Sequence, residues 1–375
     1  MKIALVICGQ LRFGGAERRL IRILDEMGKS SNAVLIARGC SAGFLGESLS
    51  LANCSVLHFS KVVAVDSSSR ISGGVKVLRI LKKLDVDVVH VFDPGRFNAA
   101  LTVWAHFLNK KVLLTVANGL HFYGCIGGCN ERLINFVLSK VDALDVLYPD
   151  QLEHYSEKVS RNCLVGATPG TFTDLETYRP LAKEKTFVFI AGQLDKQKNP
   201  QLMVDAAKLC QQALRANGYK VLICGCCKEE ERIRRQIRNC QLGDIVTMLG
   251  YVDTSTVLPR AEVLCSLQVV NNYPSQAIAE AAAAGCFVIA TRTGETYRML
   301  DPSFSEMIGL SPSELARAME SFMRLPDDQK KRYCNSARAY AEEHFSIGPS
   351  AEYFLGLYKG CLNETYDESN ERRND

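Results

Sequence analysis

The chain has 375 residues, enough for two domains that need no staples to hold their cores. Apolar residues make up 47% and charged residues 23%, which excludes a disordered, collagenous or coiled-coil chain. The net charge of +4 is too mild to indicate a nucleic-acid binder, and the basic excess lies in the first 165 residues.

Fifteen cysteines would suit an oxidised secreted protein, but Arg12, Glu17, Arg18 and Arg19 follow the apolar run Ile3 to Cys8 too soon for a leader. No stretch approaches the ~18 apolar residues that span a bilayer. The cysteines are therefore expected to be reduced thiols in a cytoplasmic protein.

Ile3 to Cys8 reads as a buried parallel strand. A glycine loop ending in Gly14-Gly15 follows. A helix comes next, with Ala16, Leu20, Ile23, Leu24 and Met27 on one face and Glu17, Arg18, Arg19 and Arg22 on the other. Strands are then expected at 34–37, 86–92 and 112–116, with helices at 74–84 and 97–108. Near residue 165 the periodicity lapses, and Pro169-Gly170 and Arg179-Pro180 mark the entry to a second domain. There the reading gives strands at 187–191, 221–224, 245–249, 263–267 and 287–290. Helices are expected at 200–216, 229–240, 275–284, 312–323, 328–344 and 349–360. The alternation predicts an α/β protein of two doubly wound, Rossmann-like domains, 1–165 and 166–345. The helix within 346–362 is expected to pack back on the first domain, and the polar tail 363–375 to be disordered.

Ligands of open α/β sheets bind beyond the carboxyl ends of the strands, so the loops there matter most. Gly14-Gly15 precedes a helix, where free N–H groups suit an anion; tight packing alone also explains a glycine turn. Lys198 sits on the loop Gly192 to Pro200, a solvated turn or a diphosphate site. Pro274 opens the helix of Ser275, Gln276 and Ala277, whose first amides suit a phosphate. Glu280 lies among alanines on that helix, and burying a carboxylate there calls for a partner such as a ribose diol.

With these pieces in order, the chain resembles glycosyltransferase family 4, retaining nucleotide-sugar enzymes of the GT-B fold whose two domains face a central cleft. The resemblance runs from residue 1 to about 360 and rests on five blocks. These are Gly14-Gly-Ala-Glu-Arg18, Thr168 to Pro180, Gly192 to Lys198, Leu249-Gly-Tyr-Val252, and Glu280 to Thr291 with Gly294-Glu295. It implies an acceptor-binding first domain and a donor-binding second one. Gly14 and Gly15 would approach the donor diphosphate, Lys198 would bind it, and Glu280 would hold the ribose. Gly250 and Tyr251 would lie near the base. The chain departs from the family pattern at three positions. Asn272 stands for a sugar-touching glutamate, Gln193 for an arginine beside Lys198, and Ala117 for a histidine, with Asn118 and His121 nearby. Lys198, Asn272, Asn118 and His121 are thus the expected catalytic set. The same departures also fit a catalytically inert relative serving as a binding or scaffolding subunit.

The implied partners are a nucleotide-sugar donor and a saccharide or lipid-linked saccharide acceptor in envelope synthesis, with no nucleic acid, cofactor or metal. Cys224-Gly-Cys226-Cys227 and Cys125…Cys129 lack structural-zinc spacing. Asp85-Val-Asp87 more simply opens a strand, and His90 sits in it. Lys76, Arg79, Lys82 and Lys83 line one helix face, either solvated or touching an anionic membrane at the inner face of the plasma membrane.

Overall fold

The computed structural model describes residues 1–8, 15–28, 32–38, 45, 57–65, 70–92, 96–116, 131–193, 196–226 and 229–362. The chain divides into two compact units, Met1–Pro169 with Gly348–Asp375, and Gly170–Ile347.

The first unit runs β1 (Lys2–Cys8), α1 (Gly15–Gly28), β2 (Asn32–Arg38), β3 (Phe59–Val65), α2 (Arg70–Lys83) and β4 (Val88–Phe92). It continues α3 (Arg96–Phe107), β5 (Lys111–Val116), α4 (Glu131–Leu138), β6 (Ala143–Val146), α5 (Leu152–Ser156) and β7 (Leu164–Ala167). Its parallel sheet has the order β3-β2-β1-β4-β5-β6-β7. Ile3 to Ile7 in β1 are buried without alternation, as a central strand covered on both faces requires. β7 lies where the sequence lost its periodicity, so the first unit reaches Pro169.

The second unit runs β8 (Glu184–Gln193), α6 (Pro200–Leu209), α7 (Gln211–Asn217), β9 (Lys220–Cys226), α8 (Glu230–Asn239), β10 (Val246–Gly250) and β11 (Ala261–Ser266). Then come α9 (Gln276–Ala283), β12 (Phe287–Thr291), β13 (Ser305–Ile308), α10 (Pro312–Met323) and α11 (Asp327–His344). Its parallel sheet has the order β10-β9-β8-β11-β12-β13. The chain then enters α12 (Ile347–Cys361), whose Phe354 and Tyr358 are buried in the first unit. Two parallel α/β sheets are the architecture the sequence predicted.

Two local expectations are corrected. The single helix expected at 200–216 is broken at Cys210. The Cys210 thiol donates to the Ala206 carbonyl at 3.2 Å, and such i−4 back-bonding bends a helix. Arg19, assigned to a polar outer face, is buried: it donates to Thr168 Oγ1 at 3.3 Å and Ser350 Oγ at 3.5 Å.

Candidate functional site

The site of the second unit is built around α9. Small alanines let this helix lie close under the sheet, with Ile278 to Ala283 all buried. Ser275 is extended and caps it, its Oγ accepting the Ile278 N–H. At the other end Arg338 donates to the Ala283 carbonyl at 3.0 Å and Lys183 to that of Ala284 at 2.6 Å. Gly285 follows in the left-handed region at φ 70°. Both ends are thereby fixed, and the first turn points beyond the carboxyl edge of the sheet.

The loop leading into α9 is tied down residue by residue. Asn272 Nδ2 donates to Ser266 Oγ at the end of β11 and to the capping Ser275 Oγ, both at 3.0 Å. Asn271 Oδ1 accepts the N–H groups of Tyr273 at 3.0 Å and Glu295 at 3.1 Å. Gly294, at φ 49°, lies so close to the Asn271 side chain that a Cβ would collide with it. The Val269 N–H donates to the Gln197 carbonyl at 3.0 Å, joining this loop to the Lys198 turn after β8. Asn199 ends that turn at φ 57°, a region asparagine tolerates, and Pro200 then starts α6.

Glu280 is 5% exposed, and the partner its burial demanded comes from the chain itself. Thr254 Oγ1 donates to Glu280 Oε2 at 2.9 Å, and Tyr178 Oη lies 2.6 Å from Thr254 Oγ1. Burial, together with the Glu280 charge, pushes the Tyr178 phenol well above its ordinary range. Thr254 also draws the turn after β10 toward α9; it carries Gly250, at φ 71°, and an exposed Tyr251. Two further expectations change here. The Ser275 amide is not open to a phosphate, since it points at Met299 Sδ at 2.9 Å. The Gln276 side chain holds the segment entering the unit, accepting from Thr171 Oγ1 at 2.9 Å and donating to the Phe172 carbonyl at 3.1 Å.

Reasoning from sequence passed over Thr293 and Thr296 and gave Glu295 no role. Among the described residues, Thr293 Oγ1, Glu295 Oε2 and Thr296 Oγ1 are buried oxygens without a hydrogen-bond partner. The other Glu295 oxygen takes Arg298 Nε at 2.7 Å. Three such atoms in one four-residue loop are unusual, because buried polar groups are normally satisfied. The available signal was a run of polar residues directly after the buried strand β12.

In the first unit, Gly15 begins α1. Gly14, Ala117, Asn118, His121, Cys125, Cys129, Cys227 and the tail 363–375 lie outside the described residues. Gln193 ends β8, with its side chain outside them as well. His90 is fully buried between Tyr358 Oη, 2.6 Å from Nδ1, and Thr115 Oγ1, 2.8 Å from Nε2. Burial lowers its pKa to about 3, so it is a neutral packing group rather than a base for a ligand. Asp87 accepts the Lys2 N–H at 2.8 Å, and Asp85 pairs with Lys2 Nζ at 2.6 Å. Burial pushes the Cys224 thiol up to about 12. Among the described residues, no group of three or more His, Cys, Asp or Glu side chains is placed to hold a metal ion.

The fold has clear relatives. Residues 175–341 match the family Glycosyl transferases group 1. A Campylobacter jejuni enzyme is 22% identical over 361 residues, covering 95% of this chain and 98% of its own length. It is GalNAc-alpha-(1->4)-GalNAc-alpha-(1->3)-diNAcBac-PP-undecaprenol alpha-1,4-N-acetyl-D-galactosaminyltransferase. A glycosyltransferase structure from Rickettsia africae superposes with a TM-score of 0.76 at 16% identity, covering 97% of this chain and 99% of that one. Anabaena Alr3699/HepE in complex with UDP superposes with a TM-score of 0.74 at 15% identity, covering 96% and 100%. The chain has the GT-B fold, carries a group 1 glycosyl transferase domain in its second unit, and is a glycosyltransferase.

Proposed function

We propose that this glycosyltransferase moves a sugar from a nucleotide-diphosphate sugar to a hydroxyl of a lipid-linked saccharide, in the manner of family 4 and with retention of anomeric configuration. The observation that carries this reading is the set of three partnerless oxygens on Thr293, Glu295 and Thr296 beside the Asn271–Ser275 loop. Buried acceptors of this kind call for an outside donor of hydrogen bonds, and a sugar offers several. The UDP bound by the Anabaena protein and the undecaprenol-linked acceptor in the Campylobacter enzyme's name support the two substrate classes.

In the transfer, the bond from the sugar's anomeric carbon to the diphosphate oxygen breaks. The acceptor oxygen bonds that carbon and passes its proton to the departing diphosphate. The departing diphosphate gathers negative charge. Lys198 and the first-turn amides of Gln276 and Ala277, which intrahelical bonding does not reach, balance it in this reading. With Gly14 and Gly15 completing the diphosphate contacts, the reaction needs no metal. Glu280 holds the ribose, Gly250 and Tyr251 flank the base, and Asn272 with Gln193 meets the sugar end of the donor. Asn118 and His121 serve the acceptor. The first unit receives the acceptor and the second the donor, on the cytoplasmic side of an envelope pathway.

The test is donor binding by Glu280→Ala and Glu280→Gln. Loss of a hydrogen bond to a charged group predicts donor affinity ten- to a hundredfold weaker for Glu280→Ala. Unchanged affinity in a folded variant removes Glu280 from the donor site.

A further inference from the structure

Three helices of the first unit share an outer surface whose composition is not that of an ordinary solvated face. α2 packs against α3, and α3 against α4. Their inner sides are apolar and buried, with Val77, Leu81, Leu101, Ala105, Val137 and Leu138 under them. Their outer sides expose Trp104 at 54% and Phe107 at 65% on α3, and Phe136 at 45% on α4. Lys76, Arg79, Lys82 and Lys83 are exposed on α2, Arg132 is exposed on α4, and Lys140 Nζ lies 5.3 Å over the Phe136 ring. Residues 70–84, 96–110 and 131–140 together hold nine Lys/Arg and one Asp/Glu, Glu131.

Large exposed aromatic rings mark a contact surface rather than a solvated one. The charge around them selects the partner. A second copy meeting this face in a two-fold dimer sets its basic residues against the same residues of the first, which is repulsive. An anionic lipid surface attracts them, about fivefold in affinity for each basic residue near it. Aromatic rings bordered by basic side chains are also what settles at the boundary between headgroups and acyl chains. Among the described residues, no helix is long and apolar enough to cross a membrane, so contact through them is peripheral.

We propose that the outer face of α2, α3 and α4 docks on an anionic phospholipid bilayer, with Trp104, Phe107 and Phe136 entering the headgroup layer. The surface extends the reading of a lipid-linked acceptor, yet it lies on residues apart from the donor unit, so the two fail separately. Trp104 is the chain's single tryptophan and reports on this face directly. The experiment mixes the full chain with vesicles of phosphatidylcholine alone or of equimolar phosphatidylcholine and phosphatidylglycerol. Trp104 emission is expected to shift to the blue, and to be quenched by brominated acyl chains, only on the anionic vesicles, and to revert in molar salt. The pairs Phe107→Ala with Phe136→Ala and Lys76→Glu with Arg79→Glu are each expected to weaken vesicle binding at least tenfold. The nucleotide-induced thermal shift should be untouched by either pair. Unchanged emission on anionic vesicles, or binding indifferent to both pairs, overturns the proposal. A concentration-dependent blue shift without vesicles also overturns it, by assigning the face to a second copy.

Discussion

The first unit builds one buried polar network around Asp145, whereas the second builds its polar site around α9 and the loops at the carboxyl ends of β11 and β12. In the first unit Tyr358 donates to His90, His90 to Thr115, and Thr115 to Asp145 Oδ2 at 2.9 Å. That direction follows from a neutral imidazole with its proton on Nε2. Thr168 and Tyr353 donate to Asp145 Oδ1 at 2.9 and 2.8 Å. Arg19 completes the set, and α12 is fastened by Ser350, Tyr353 and Tyr358. The second unit's site draws Ser266 and Thr254 onto the run Asn271 to Arg298, and in that run Thr293 Oγ1, Glu295 Oε2 and Thr296 Oγ1 have no described partner. A buried carboxylate with both oxygens accepting hydrogen bonds fits a structural joint, while loop oxygens without a described partner fit a binding site.

The comparison can be broken first from the second unit. Gly285→Ala forces a side chain into the left-handed region and against Cys334 Sγ, at 2.5 Å, and the Pro180 ring. We expect a loss of about 3 kcal/mol in urea unfolding together with loss of nucleotide binding. A variant as stable as the parent would contradict the fixed C-terminal end of α9.

The first unit makes a prediction in pH. Burial raises Asp145 to about 6 against the donors around it, and lowers His90 to about 3. The raised Asp145 pKa favours folding at low pH, and that gain is lost as pH rises through 6. The lowered His90 pKa favours folding above its unfolded value, and that gain is lost as pH falls toward 3. Between about pH 6 and 4 the two slopes oppose each other. Asp145→Asn removes one of them, so its stability should fall by about 1.4 kcal/mol per pH unit over this range, more steeply than the parent's. Parallel pH profiles would show that the two groups do not oppose each other.

The smallest expected effect is Tyr353→Phe, which deletes one donor to Asp145. It should cost about 1–2 kcal/mol and loosen α12, read as faster amide exchange in residues 347–361. Unaltered exchange there would mean that α12 is held by Phe354 and Tyr358 packing alone.

The same contrast explains what could be read in advance. Pro274, Ser275 and Glu280 lie within seven residues, so local spacing exposed them and the helix that follows, while Asn272 was reached through the family resemblance. The Asp145 network draws on positions from 19 to 358, and nothing local announces it. Arg19 repeats the pattern of a solvated helix face, and its burial is decided by Thr168 and Ser350. Asp145 interrupts the apolar run of β6 and so hid that strand, while β7 was hidden by the glycine in its four residues. The break at Cys210 depends on a thiol bonding its own helix, which no residue-type rule marks. The Thr254 partner of Glu280 was equally invisible, coming from a turn 26 residues upstream.

The central claim, a donor site in the second unit, is tested most directly by thermal unfolding against nucleoside diphosphates and their sugars. A ligand at a hundred times its Kd adds about 2.7 kcal/mol, readily seen as a rise in Tm. We predict that one base raises Tm well above the others, and that one of its sugars raises it further. No shift from any nucleotide at millimolar concentration would contradict the donor site and favour the inert scaffolding relative that Gln193, Asn272 and Ala117 also fit.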